Sequence, residues 1–220
     1  MSRLIIFDLD GTLVDSAPDL IGSLNATLAL EGIAPVPVEK ARDLVGAGVK
    51  ALLERGLALA GRTVSDARFQ ELFDAFFAHY AEHIAVETRP YPGLIDALTA
   101  LKAEGWRFAI CTNKLEALSV KLVAELELTD WFAANCGGDT FDFRKPDGRH
   151  LTETARVAGG AQTIIMVGDS AADVNAARNA GIPVIGVPFG YTPVPMAELK
   201  PDVLIRHFDE LPLAVQNFEC

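Results

Sequence analysis

Four short, largely apolar runs, Leu4 to Phe7, Trp106 to Cys111, Thr163 to Val167 and Ile182 to Val187, constrain the fold more than any other feature of this chain. A continuous apolar run suits a strand buried on both faces, and such strands belong to parallel sheets covered by helices. Helical patterns lie between them. Leu94, Leu98 and Leu101 share one helical face, as do Leu118, Leu122 and Leu126, and Gly105 and Gly181 stand where helices end. Alternating strands and helices predict an α/β fold with a Rossmann-like parallel sheet. The stretch from Ser16 to about Val86 departs from this rhythm. It carries three helical patterns in succession: Leu20, Leu24 and Leu28; then Leu44, Val45, Val49, Leu52 and Leu53; then Phe69, Leu72, Phe73, Phe76, Phe77 and Tyr80. An all-helical insert is expected there, with the aromatic stripe as its packing.

Composition narrows the function classes. The 220 residues are 50% hydrophobic and carry a formal net charge of −11, so a substantial core is expected and a polyanion-binding surface is not. Cys111, Cys136 and Cys220 match neither a disulfide framework nor a zinc motif, which fits a reducing cytoplasm. The apolar run before Asp8 is too short for a signal peptide, and the uncharged stretch Ile182 to Ala197 is broken by four prolines. We therefore expect a cytoplasmic protein with no membrane or nucleic-acid partner; no oligomeric state is specified.

The chemistry gathers where the runs end. The first leads into Asp8-Leu9-Asp10-Gly11-Thr12, placing two carboxylates at the carboxyl end of a buried strand, where open α/β sheets bind ligands. Such a pair can hold a hard cation or divide into nucleophile and acid/base catalyst. A second acidic cluster, Gly168-Asp169-Ser170-Ala171-Ala172-Asp173, follows the third run, and a helix starting at Ser170 turns Asp173 toward the same site. Thr112-Asn113 adds a hydroxyl and an amide suited to phosphate oxygens, and Lys145 before Pro146 adds a fixed positive charge. His79 and His83 share a helical face without a third ligand, and Cys111 reads as strand packing.

In order and strand context these residues resemble the four motifs of the haloacid dehalogenase-like hydrolase superfamily, across nearly the whole chain. The resemblance implies a hydrolase core at residues 1–15 and 87–220 and a helical cap domain at 16–86. It implies that Asp8 attacks phosphorus to form an aspartyl phosphate and that Asp10 protonates the leaving alcohol and then activates water. Mg²⁺ is expected on Asp8, Asp169 and the Asp10 carbonyl, with Thr112 and Lys145 also catalytic. Leu9, Thr112, Asn113 and Lys145 are expected to bind phosphate, and Asp173 and Ser170 to stand behind the site, with Asp173 orienting the metal ligands or Lys145. An acid two residues after the nucleophile sets the chain apart from the dehalogenase branch, and Leu9 with no membrane span sets it apart from the cation pumps.

Within the superfamily, the segment around Gly46 and Gly48, the Asp15-Ser16-Ala17-Pro18 stretch, Gly137-Gly138-Asp139 and Phe189-Gly190-Tyr191 are similar to phosphoglycolate phosphatases. Those enzymes usually have a second Pro where this chain reads Lys145-Pro146-Asp147. The expected activity is hydrolysis of a small phosphate ester, 2-phosphoglycolate first, with Gly46, Gly48 and Lys50 as specificity positions in the cap. Arg55 is a further cap cation that a substrate carboxylate could meet. The alternatives are a sugar-phosphate phosphatase, a phosphohexomutase and, from another class, a phospho-acceptor signalling module, against which the helical insert argues.

Overall fold

In a computed structural model, which describes residues 2–37, 45 and 48–218, the chain divides into two compact units, Met1–Asp15 with Pro90–Cys220, and Ser16–Arg89. Leu44, Gly46 and Cys220 lie outside the described residues.

The first unit is built on six parallel strands, which we number β1 (Arg3–Phe7), β2 (Trp106–Cys111), β3 (Phe132–Cys136), β4 (Thr163–Gly168), β5 (Val184–Gly186) and β6 (Val203–Leu204). Their order across the sheet is β3-β2-β1-β4-β5-β6. This is the doubly wound order whose ligand crevice opens beside β1, at the carboxyl ends of the strands. The apolar runs predicted this sheet because its centre is dry on both faces. Leu4, Ile5, Ile6 and Phe7 are fully buried, as are Ile165, Met166 and Val167. Phe7 pairs in register with Ile110 on one side and Val167 on the other, so the residues that follow all three strands emerge on one rim.

Three elements differ from the sequence reading. β3 went unnoticed because its Phe-Ala-Ala-Asn-Cys sequence is weakly apolar; it has one neighbour and a register irregularity, and Asn135 is satisfied by the Ser119 hydroxyl at 2.6 Å. The run from Ile182 forms a shorter strand, since Pro183 precedes Val184 and Val187 bonds back to Gly168 O at 3.0 Å beyond the strand end. The helix Arg149–Val157 was also missed; it buries His150, Leu151, Thr154 and Ala155 against the sheet.

The second unit holds the helices Ala17–Ala29, Val49–Leu59 and Asp66–Glu82. Leu20, Leu24 and Leu28 of the first, Leu52, Leu53 and Leu57 of the second and Leu72, Phe76 and Tyr80 of the third form its core. The second helix starts at Val49, because Gly48 at φ 86° precedes it in a conformation no helix contains. Asp19, buried in the first turn of the first helix, ties the end of the unit to its start: its carboxylate accepts from the Thr88 amide at 2.9 Å, the Thr88 hydroxyl at 2.7 Å and the Glu87 amide at 3.0 Å.

Candidate active site

Asp8 is the first residue beyond β1. Its amide still donates to Val167 O at 3.0 Å, so it is held by the ladder while its side chain stands at the rim. The chain then folds into a tight turn in which Leu9 O accepts from the amides of Thr12, Leu13 and Val14. This turn returns Thr12 toward β4, and its hydroxyl donates to Asp169 Oδ1 at 2.9 Å. The other Asp169 oxygen accepts the Tyr191 amide at 2.8 Å. A Cβ on Gly190 would lie 2.1 Å from that oxygen, so only glycine lets the 189–191 segment close over Asp169.

Lys145 is buried, and its Nζ reaches Asp173 Oδ1 at 2.6 Å and Asp8 Oδ1 at 2.9 Å. Asp173 is held from its other oxygen by the Ser170 amide at 3.0 Å and hydroxyl at 2.6 Å, a reciprocal bond at the start of the helix Ala171–Ala180. The backbone of Lys145 is fixed as well. His150 Nδ1 accepts its amide at 3.2 Å, and the Asn113 side-chain amide donates to its carbonyl at 2.9 Å.

Three carboxylates converge here: oxygens of Asp8, Asp169 and Asp173 all lie within 4.8 Å of one another. With only protein groups around it, Asp8 is pushed up to about 6, first by burial, with Lys145 opposing. Asp169 is pushed up to about 8 by burial and then by the charges of Asp173 and Asp8. Burial opposes the charge of Lys145, but Asp173 and Asp8 more than offset it and hold its pKa above the ordinary lysine value. One ammonium among three carboxylates leaves negative charge uncompensated. A hard, oxygen-seeking divalent cation beside Asp8 and Asp169 fits both the donor set and this deficit.

The structure therefore brings Asp8, Lys145, Asp169, Asp173 and Ser170 together. Asp10 lies on the same turn but faces another cation: Lys114 Nζ is 3.0 Å from both of its carboxylate oxygens. The Leu9 side chain is buried in the core and its amide donates to Asp8 Oδ1 at 2.7 Å, so that N–H orients Asp8. Thr112 Oγ accepts the Lys114 amide at 3.2 Å, which leaves its own proton to donate. Lys50 and Arg55 are exposed on the helix Val49–Leu59. Burial pushes the Cys111 thiol up to about 12, which rules it out as a thiolate nucleophile. His79 and His83 stack on each other at 4.1 Å and belong to no metal-ligating cluster among the described residues. Lys114 and His150 escaped the sequence reading. Lys114 was signalled only by standing directly after Thr112-Asn113, and His150 by lying one turn beyond Lys145-Pro146.

The chain as a whole finds its match in known proteins. A family model described as haloacid dehalogenase-like hydrolase covers residues 5–187. The chain belongs to that family. It is 51% identical over 212 residues to a phosphoglycolate phosphatase of Agrobacterium fabrum, covering 96% of this chain and 91% of that one. It is 49% identical over 213 residues to a phosphoglycolate phosphatase of Mesorhizobium japonicum, covering 96% and 94%. Its fold matches the crystal structure of a predicted phosphoglycolate phosphatase from Haemophilus somnus with a TM-score of 0.90 at 29% identity, each chain 98% covered. Among the described residues of this haloacid dehalogenase-like hydrolase, no helix is long and apolar enough to cross a membrane.

Proposed function

We propose that this hydrolase is a Mg²⁺-dependent phosphatase that converts 2-phosphoglycolate to glycolate and phosphate. The observation that carries the reading is the Lys145 ammonium shared by Asp8 and Asp173 beside Asp169, an anionic nucleophile with positive charge built in next to it. The activity of the relatives at about half identity supports the substrate.

Asp8 is the nucleophile. One of its oxygens forms a bond to phosphorus as the bond from phosphorus to the ester oxygen breaks, and the electron pair leaves on that oxygen. Asp10 gives this oxygen its proton, so that glycolate departs as an alcohol rather than an alkoxide. A water then loses a proton to the Asp10 carboxylate and attacks phosphorus, the bond to Asp8 breaks, and phosphate leaves. Lys145 offsets the repulsion between Asp8 and the phosphate dianion, and the Thr112 hydroxyl donates to a transferring oxygen. Asp173 orients Lys145, and Ser170 orients Asp173. Asp8, Asp169 and the carbonyl of Asp10 would hold Mg²⁺, which when bound supplies further positive charge against the phosphoryl oxygens. In our reading the helical segment, residues 16–86, is a cap that sets specificity through Gly46, Gly48 and Lys50. The free thiols of Cys111 and Cys136 support a reducing, cytoplasmic setting.

The test is phosphate release from 2-phosphoglycolate, hexose phosphates and simple alkyl phosphates, with Mg²⁺ and with excess EDTA. We expect EDTA-sensitive release with 2-phosphoglycolate strongly preferred, and its loss in Asp8→Asn. Preference for a hexose phosphate moves the substrate to the sugar-phosphate class, isomerised product indicates a mutase, and wild-type turnover in Asp8→Asn removes Asp8 as nucleophile.

A further inference from the structure

The Gly137-Gly138-Asp139 segment takes no part in the chemistry above, yet it is packed closely against the loop that follows β2. The Gly138 amide donates to Lys114 O at 2.7 Å, and Asp139 Oδ1 accepts the Glu116 amide at 2.7 Å. A Cβ on Gly138 would stand 2.5 Å from Asn113 O, so the two backbones meet with no room for a side chain. The Thr112 amide also bonds Cys136 O at 3.0 Å, and Thr112 Oγ takes the Lys114 amide. The backbone of Lys114 is thus fixed from both sides by the ends of β2 and β3.

That frame decides where the Lys114 side chain points. It is 6% exposed, and its ammonium lies 3.0 Å from each oxygen of Asp10. A desolvated ammonium needs such a partner, and rotating the Asp10 carboxyl group gives up one of the two bonds. Lys114 therefore restrains the orientation of a carboxyl group whose proton must reach one oxygen atom.

We propose that Lys114 is a positioning residue for Asp10, holding its carboxyl group in the orientation that serves both halves of the reaction. This rests on the acid/base reading of Asp10 given above. When Asp10 carries the proton, one oxygen accepts from Lys114 while the other presents its O–H to the leaving oxygen. As the bond to phosphorus breaks, the O–H bond of Asp10 breaks and the proton passes to the departing oxygen. In the second half the same oxygen takes a proton from the attacking water. A clamp that keeps hold of the second oxygen while the first carries the proton keeps one geometry for both transfers.

The experiment compares Lys114→Met, Asp10→Asn and the double variant on two esters: 2-phosphoglycolate, whose leaving group needs a proton, and p-nitrophenyl phosphate, whose leaving group departs without one. Lys114→Met should lower kcat on 2-phosphoglycolate about 10- to 100-fold with KM within about threefold. With p-nitrophenyl phosphate it should release a burst approaching one equivalent of p-nitrophenol and then turn over slowly, because only the second half needs Asp10. The double variant should lose no more than Asp10→Asn alone, since Lys114 acts through Asp10. Where Lys114→Met does not fold, Lys114→Arg keeps the charge with an altered fork and should show a smaller loss with the same burst. An unchanged kcat overturns the proposal, as does a rise confined to KM or a loss that multiplies with that of Asp10→Asn. Should Asp10→Asn itself keep wild-type kcat on 2-phosphoglycolate, the acid/base reading of Asp10 falls and the proposal falls with it. A large loss in Asp10→Asn beside a wild-type Lys114→Met overturns the positioning role alone.

Discussion

His150 accepts the backbone amide of Lys145 on Nδ1 at 3.2 Å and meets Gly137 O with Nε2 at 3.1 Å, so the imidazole is neutral with its proton on Nε2. The ring is fully buried, and burial, followed by the charge of Lys145, pushes its pKa down to about 4 from 6.5. A histidine depressed in this way contributes stability that is complete above pH 6.5 and is lost as pH falls from 6.5 toward 4, because the unfolded chain takes up the proton first. The gap corresponds to about 3 kcal/mol. Urea unfolding at pH 7 and pH 4.5 should show His150→Gln losing less stability over that interval than the wild type. Equal losses would assign the acid sensitivity to other groups.

Gly190 tests how tightly Asp169 is enclosed. In Gly190→Ala the new methyl group would meet Asp169 Oδ2 at 2.1 Å, and the neighbouring segment must shift and stretch the Tyr191 amide bond. We expect a stability loss of about 1–3 kcal/mol and a fall in kcat that added Mg²⁺ does not restore, measured by thermal unfolding and steady-state kinetics.

Asp173 is predicted to matter to catalysis without touching substrate. Asp173→Ala removes the shorter of the two ion pairs of a buried ammonium and leaves Ser170 without its carboxylate. Breaking such a pair from one side costs about 3–5 kcal/mol. Turnover should fall at least tenfold in whatever fraction remains folded, and Asp173→Asn, which keeps an acceptor, should recover part of the stability.

The second unit has its own point of failure in Asp19. Asp19→Ala strands the amides of Glu87 and Thr88 together with the Thr88 hydroxyl. Thr88 is buried, and each of its two donors left without a partner costs about 1–3 kcal/mol, so the variant should melt several degrees lower while Asp19→Asn melts between the two. Hydrogen exchange is expected to rise first at residues 87 and 88.

Much of this was legible in the sequence, for identifiable reasons. β1, β2 and β4 are mostly buried on both faces, so their runs are apolar apart from Arg107 and the terminal residues Arg3 and Thr163, and their rim residues Asp8, Thr112 and Asp169 could be read directly from where the runs stop. β3 lies at the edge and needs less apolar character, so it left no run to find. The pairing of Lys145 with Asp173 followed from the family resemblance, as one of the two roles it implied for Asp173. That of Lys114 with Asp10 did not, because it depends on the direction a side chain takes from a loop fixed by β3. His150 was hidden for a similar reason: its partners, Lys145 and Gly137, are backbone atoms, and no side-chain pattern announces them.

The strand order also bears on how the molecule is made. β1 precedes the other five strands of the sheet in the chain and lies inside it, with neighbours that begin at Trp106 and Thr163. At about 5–20 residues per second, a ribosome takes many seconds to deliver even the first of them. Throughout that interval Leu4 to Phe7 is a bare apolar edge on the nascent chain, the kind of segment that recruits chaperones or pairs with a neighbouring polypeptide. The site around Asp8 is complete only once Asp169 and Tyr191 have emerged from the ribosome, so chains truncated before Tyr191 are expected to be inert.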